Sequence, residues 1–449
     1  MTATSSQLRT IRSSGDTARW VLGAAVVANL LLVQIMFFSY VEGRNTLLNI
    51  AKYFGLHAAF LMMLQLTLVA RLPWLDRRLG MDRLTVLHRW VGFALLWTVV
   101  LHVTFILLGY SRLFDQTVVE AFVGLAGVID AMLGIGAAAT VVVVAALSAK
   151  YARRRLSYEA WHAIHLLLYA AVVLALLHQL MEPNTFTATT ATTVYWALLW
   201  TFAITALIAG RVVLPLWRNA RHQLRVAEVT PEADDVVSVR VTGRDLDRLP
   251  ARAGQFFIWR FPGHQHWWRA NPFSMSAAPD GQSLRLTAKA VGDTSAGLRH
   301  VPVGNRVFAE GPYGAFTTVQ RTRDDVLLIA GGVGVTPIRA MLEELVRAPD
   351  RTGSIVVLYR ARTEAEAVLL DELRELADAG GAQLHVLTGR TSAENSPFAP
   401  PQLRALVPDI TERDVFVCGP PAMMTMVLRS LRQLNVPREQ VHAEQFSLA

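Results

Sequence analysis

The sequence predicts a membrane α-helical bundle of six transmembrane helices, followed by an antiparallel β-barrel domain and a parallel α/β nucleotide-binding domain. Three observations predict it. The 449 residues are 53% hydrophobic and only 17% charged, too apolar for one soluble globule of that length. Six apolar runs lie before residue 215, each close to the ~20 residues needed to cross a ~30 Å hydrocarbon core. Beyond residue 222 the texture turns to short alternating strands, and beyond 322 to buried-type strands interleaved with helices.

The apolar runs cover residues 20–40, 52–70, 86–109, 122–147, 162–181 and 191–214. No small-residue cleavage site follows the first, so it reads as a retained helix after the segment 1–19. Fifteen Lys and Arg fall on one side: Arg9, Arg12 and Arg19; Arg71, Arg77, Arg78 and Arg83; Lys150, Arg153, Arg154 and Arg155; Arg211, Arg218, Arg221 and Arg225. The opposite loops carry Arg44, Lys52 and Arg112. The positive-inside rule therefore expects a multi-pass chain of the cell membrane with both termini cytoplasmic. The net charge of +8 does not mark a nucleic-acid surface, because the arginines flank apolar runs instead of clustering on a soluble face. With Cys418 as the single cysteine, an internal disulfide and a cysteine metal cluster are excluded.

Ionisable groups at membrane depth are costly and point to function. His88 and His102 on the third helix are 14 residues apart, so they return to within about 40° of one face, roughly 21 Å apart along the axis. That suits two haems stacked across the bilayer. His165 and His178 on the fifth helix are 13 apart, with a similar rise but an offset of about 140° on an ideal helix. Either a π-bulge or kink corrects the phase, or one of the two is not a ligand. Topology places His88 with His165 and His102 with His178 at matching depths, as axial pairs of six-coordinate haem iron. His57 reads as bonding across helices in the polar bundle interior, and His162, one turn before His165 and beside the arginine-rich loop, as assisting a haem propionate or simply packing. One zinc or copper ion cannot span the roughly 20 Å between the two histidines along each helix.

A basic linker, RVVLPLWRNARHQL, leads to the barrel-type strands VVSVRVTG and SLRLTAKAV. RANPFSMSAAP follows a strand, and GDTSAG opens a helix. VLLIA runs into AGGVGVTP, the strand–glycine loop–helix context of a dinucleotide site. Gly331, Gly332 and Gly334 allow a tight turn and close approach to phosphate, and Thr336 and Pro337 begin the helix. The domains are expected at 20–221, 222–321 and 322–449.

In their order along the chain these features resemble the ferric reductase and NADPH oxidase superfamily, of prokaryotic type. The resemblance rests on the histidine pairs of helices three and five, the Pro-Phe-Ser segment, the glycine loop and VFVCGPPAMM. It implies a barrel that binds FAD, with Pro272 and Phe273 at the isoalloxazine and Ser274 near flavin N5. Gly292, Thr294 and Ser295 would meet the pyrophosphate at a helix N-terminus. Asn271 stands where the family has a charged or ionisable residue, and Arg269 is the substitute for that phosphate contact. Cys418, Gly419 and Pro420 match the segment beside the nicotinamide, and Phe446 matches an aromatic that covers the flavin. Arg360 and Arg362 follow the second strand of the α/β unit and suit a 2′-phosphate, so NADPH is preferred to NADH.

The resemblance implies electron flow from NADPH through FAD and two b-type haems to an outer-face acceptor: a ferric chelate, or dioxygen in a superoxide-producing oxidase. A haem-binding electron partner without enzymatic activity is the reading of another class. A transporter is disfavoured, because the helices lack paired breaks.

Overall fold

Backbone amides in hydrocarbon find no water to bond, so a chain crossing a bilayer satisfies them within helices. The computed structural model describes residues 5–40, 45–182, 186, 189–263, 271–349, 352–389 and 396–444. Its helices are α1 (Ser5–Tyr40), α2 (Thr46–Val69), α3 (Pro73–Leu79), α4 (Met81–Leu113), α5 (Val118–Ala126), α6 (Ile129–Ser148), α7 (Lys150–Arg153), α8 (Tyr158–Met181), α9 (Thr190–Ile208) and α10 (Leu214–His222). A π-helical turn, Ala209–Val213, joins the last two.

Among the described residues, six stretches are long and apolar enough to cross a membrane: Trp20–Ser39, Thr46–Val69, Arg83–Leu113, Ile129–Ser148, Glu159–Met181 and Thr190–His222. The fourth begins later than the expected residue 122. Gly127 ends α5 and Val128 is extended, so a separate helix starts at Ile129 with Asp130 in its first turn, where an acid suits the helix dipole. The unit containing Arg19–Leu72 and Asp82–Arg211 has an interior of Phe60, Met63, Leu66, Ala137, Trp196 and Trp200. Trp90, Phe93, Trp97 and Phe202 turn outward and are more than half exposed. That inversion is what lipid as the surrounding solvent produces.

Pro73–Met81 and Val212–Leu448 belong to the other unit. The strands β1 (Arg225–Ala233), β2 (Val236–Thr242), β3 (Phe256–Arg260), β4 (Asn271–Ser274), β5 (Ser283–Lys289) and β6 (Phe308–Tyr313) are antiparallel. They form two three-stranded sheets, β1-β2-β5 and β4-β3-β6, instead of a closed barrel. Both sheets cover one core that includes Val239, Trp259, Phe257, Met275 and Leu286. The bridges Arg225↔Arg306 and Met275↔Leu286 join strand ends. Within the second sheet, edge strand β4 carries Pro272, which has no N–H to donate, and the β3–β6 ladder shifts register between Phe256 and Ile258. The Asn219 side chain of α10 exchanges two hydrogen bonds of 2.8 Å with the Ala309 backbone, and buried Asp76 of α3 accepts from the Gly314 N–H at 2.9 Å. Both docked helices thus hold β6.

After the short α11 (Asp293–Gly297) come β7 (Val326–Gly331), α12 (Val335–Val346), β8 (Ile355–Arg360), α13 (Leu370–Gly380), β9 (Gln383–Leu387), α14 (Pro400–Leu406), β10 (Asp414–Cys418), α15 (Pro421–Gln433) and β11 (Val441–Glu444). All five strands are parallel, in the order β11-β10-β7-β8-β9. Residues of β7 and β10 are buried throughout, which explains their unbroken apolar runs. The order reverses between β7 and β10. In such sheets ligands bind at the carboxyl ends of the strands beside that switch point.

Candidate functional site

The two loops at the switch point are the glycine loop after β7 and the Cys-Gly-Pro turn after β10. They meet backbone to backbone. A Cβ on Gly334 would come 2.5 Å from the Cys418 carbonyl oxygen, and one on Gly419 3.2 Å from the Gly331 Cα. Gly332 alone of the three loop glycines has a left-handed φ, +53°, with open space beside it. Gly331 and Gly334 therefore serve the junction of the loops, and Gly332 faces the open side. Thr336 donates to the Val333 carbonyl at 3.0 Å, closing the turn, and Pro337 sits buried in the first turn of α12, where no N–H partner is lost. Cys418 is fully buried, and Pro420 leads into α15. Burial pushes the Cys418 thiol well up, so it stays protonated at neutral pH and is a packing surface, not a nucleophile.

The pairing of β3 with β4 sets Phe273 opposite Phe257, and the Trp259 indole N–H donates to the Phe273 carbonyl at 3.1 Å. Ser274 is buried, and its hydroxyl has no hydrogen-bond partner. A hydroxyl in that state costs free energy unless a bound group satisfies it, which fits a flavin nitrogen. Asn271 and Phe273 are half-buried and Pro272 is exposed. Ser295 accepts from the Val291 and Gly292 N–H groups at 3.0 and 3.1 Å, closing the first turn of α11 beside half-buried Thr294. Arg269 and Phe446 lie outside the described residues.

Arg360 donates to the Leu387 carbonyl at 3.0 Å and to the Gly389 carbonyl, so its guanidinium binds the end of β9. Arg362 is exposed at the carboxyl edge of β8.

In the membrane unit, the His88 and His165 rings lie 6.2 Å apart, inclined by 69°. The Nδ1 atom of each is buried with no hydrogen-bond partner. His102 approaches the Ala51 carbonyl at 2.8 Å through Nδ1, and His178 the Asp130 carbonyl at 2.8 Å. A carbonyl only accepts, so Nδ1 carries the proton in both rings and the lone pair sits on Nε2. His102 and His178 lie within electrostatic reach of each other. Helix α8 is α-helical throughout, without a π-turn. The offset expected of an ideal helix therefore persists: His165 stacks on Trp161 and meets His88 of α4, whereas His178 turns toward α6. The π-turn is in the sixth span, where Arg211 donates to the Val69 carbonyl at 2.8 Å and acts electrostatically on His88. His57 bonds the Tyr53 carbonyl at 2.7 Å and meets Gln34 at 3.2 Å, a packing role between α1 and α2.

Sequence spacing did not reveal Gly55 and Gly134. A Cβ at Gly55 would lie 2.8 Å from His102 Nδ1, and one at Gly134 3.1 Å from His178 Nδ1. Each glycine admits an imidazole from another helix, and no local motif records which helix that is.

The ferric reductase like transmembrane component model matches residues 54–176, and the oxidoreductase NAD-binding domain model matches residues 328–429. The ferredoxin reductase component of 3-ketosteroid-9-alpha-monooxygenase from Mycobacterium tuberculosis is 33% identical over 237 residues, which span 50% of this chain and 65% of that protein. A Vibrio cholerae flavohemoprotein is 30% identical over 243 residues, covering 51% of this chain and 60% of its own length. The solved FAD/NAD binding domain of nitric oxide dioxygenase from Vibrio cholerae is 25% identical with a TM-score of 0.43, covering 50% of this chain and 98% of that one. The chain thus joins a ferric-reductase-like transmembrane domain to a FAD- and NAD-binding oxidoreductase module of the ferredoxin-reductase type.

Proposed function

We propose that this chain moves electrons from cytoplasmic NADPH through FAD and two b-type haems to an acceptor on the outer face, a ferric chelate in the first place. The observation that carries the reading is the geometry of the histidines. Two imidazoles bound to opposite sides of one metal ion, at about 2.0–2.1 Å each, have ring centres roughly 6.3 Å apart; His88 and His165 are at 6.2 Å. Among the described residues, no three His, Cys, Asp or Glu side chains converge on a metal site. The two histidine pairs would each hold the iron of a haem, whose porphyrin would supply the remaining ligands. The Nδ1 bonds of His102 and His178 hold Nε2 as the ligating atom.

Bound FAD accepts a two-electron hydride and releases single electrons that haem iron can carry. The protein supplies position. Gly332 gives the nucleotide phosphates room, Arg362 is the guanidinium available to a 2′-phosphate, and buried Cys418 keeps the nicotinamide side dry. Ser274 offers its hydroxyl at the flavin.

In purified full-length protein without oxygen, NADPH is expected to reduce the haem spectrum, and a ferric chelate to reoxidise it. Haem that stays oxidised under NADPH, or protein without haem, would overturn the reading. Superoxide release on admitting air, with the chelate inert, would assign dioxygen instead. Ser274→Ala is expected to retain FAD but slow this reduction on the order of 100-fold, as for the loss of one preorganised donor; stopped-flow flavin bleaching checks it.

A further inference from the structure

The flavin strand and the nucleotide helix are joined by a buried cluster of charges. Arg285 of β5 makes a two-pronged ion pair with Glu372 of α13, both contacts 2.8 Å. The same guanidinium donates from Nε to the Ser276 hydroxyl at 3.1 Å and from Nη2 to the Ser276 carbonyl at 2.9 Å. Arg339 of α12 reaches Glu372 at 2.8 Å and the Ser276 carbonyl at 3.2 Å, and also pairs with Glu343. Glu343 accepts in turn from the Ala278 N–H at 2.7 Å and pairs with Arg347 at 2.6 Å. The side chains of Arg285, Arg339 and Glu343 are only 11%, 9% and 7% exposed.

The cluster has a direction. Ser276 lies two residues beyond Ser274 on the segment expected to hold the flavin, and α12 is opened by the glycine loop that begins at Gly331. The bidentate Arg285–Glu372 pair fixes angle as well as distance, and Arg285 and Arg339 converge on one Ser276 carbonyl. We propose that Glu372 is a positioning residue for hydride transfer: through Arg285 and Arg339 it sets the separation between the Ser274 strand and the nucleotide loop. This rests on the NADPH-to-flavin reading above. Hydride transfer needs the reacting atoms within about 3–3.5 Å, and a misplacement of ~1 Å costs on the order of 100-fold in rate. Glu372 is the link most able to tune that distance, since among the described residues it is the carboxylate that pairs with both arginines.

The test is anaerobic stopped-flow reduction of bound FAD by NADPH in the full-length holoprotein, for wild type, Glu372→Gln and the double variant Arg285→Met with Glu372→Met. Glu372→Gln is expected to lower the limiting rate roughly 10- to 100-fold, with FAD content and the Kd for NADPH within about twofold of wild type. The double variant replaces a pair whose side chains are 11% and 30% exposed with apolar ones, a change that commonly preserves stability when both charges leave together. It is expected to melt like wild type while remaining slow. A Glu372→Gln protein as fast as wild type would refute the positioning role. So would a double variant that recovers both melting temperature and rate, since the cluster would then be structural only. A wild type whose flavin NADPH cannot reduce would defeat the parent reading and this inference with it.

Discussion

His102→Ala is expected to lower the haem content of the purified protein from two per chain to about one, and to cut electron delivery to an outer acceptor by at least ~100-fold. The ring is held in three ways: by α4, by the Ala51 carbonyl on Nδ1, and by Gly55, whose missing side chain makes room for it. On the proposed reading, alanine would remove the nitrogen that holds a haem and leave a cavity beside Gly55; a haem left with one histidine would be held weakly. His88 and His165 are untouched, so NADPH should still reduce the remaining haem. His57→Ala is the control: its ring bonds only within the α1–α2 contact, and both haems should stay. The measurement is a pyridine haemochrome titration against protein concentration. Two haems retained in His102→Ala would remove His102 from the ligand set.

The parts of this molecule legible in the sequence are those governed by local rules. Hydrocarbon imposes length and composition on each span, so six runs of the right length became six helices. The glycine loop is a local consequence of a strand turning into a helix against a phosphate, and VLLIA followed by AGGVGVTP became β7, the turn and α12. Long-range choices were not legible. The start of the fourth span moved from residue 122 to Ile129, because backbone geometry at Gly127 and Val128 outweighed a continuous apolar pattern. The barrel expected from alternating strands became two sheets, since ladder closure depends on cross-strand partners. Nor does its place at the end of β8 announce that the Arg360 guanidinium meets the Leu387 and Gly389 carbonyls, nearly 30 residues away.

The histidines of the fifth span illustrate the limit most clearly. The helical wheel placed His165 and His178 on different faces, and the structure keeps them there. His178 reaches across to α6, where Gly134 admits its ring and the carbonyl of Asp130, at the helix N-terminus, accepts a hydrogen bond from Nδ1–H. Ligand geometry in a bundle is set by which helices surround a residue, a property that spacing along one helix does not encode. The same holds for Glu372, Arg339 and Arg285, three charges in three separate elements that no motif connects.

Gly334→Ala is expected to abolish flavin reduction by NADPH while leaving FAD and both haems bound. The added methyl would meet the Cys418 carbonyl oxygen at 2.5 Å, its carbon at 2.6 Å and the Gly419 Cα at 2.7 Å. All three are backbone atoms, so no side-chain rotation relieves the clash. Overpacking of this kind costs about 1–3 kcal/mol. The strain falls at the switch point, where the β7 and β10 loops must stay together to form one nucleotide site. Opening them moves Gly332 away from Cys418 and separates the phosphate side from the nicotinamide side. Dithionite should still reduce the haems, because their ligands are in the other unit. Gly332→Ala is the informative contrast: its Cβ meets open space, and only the left-handed φ of +53° opposes it, at roughly 1 kcal/mol. That variant should fold and bind NADPH more weakly, with the limiting rate largely kept. A Gly334→Ala protein reduced by NADPH at the wild-type rate would mean that loop contact does not build the site, and that the nucleotide binds elsewhere on the sheet.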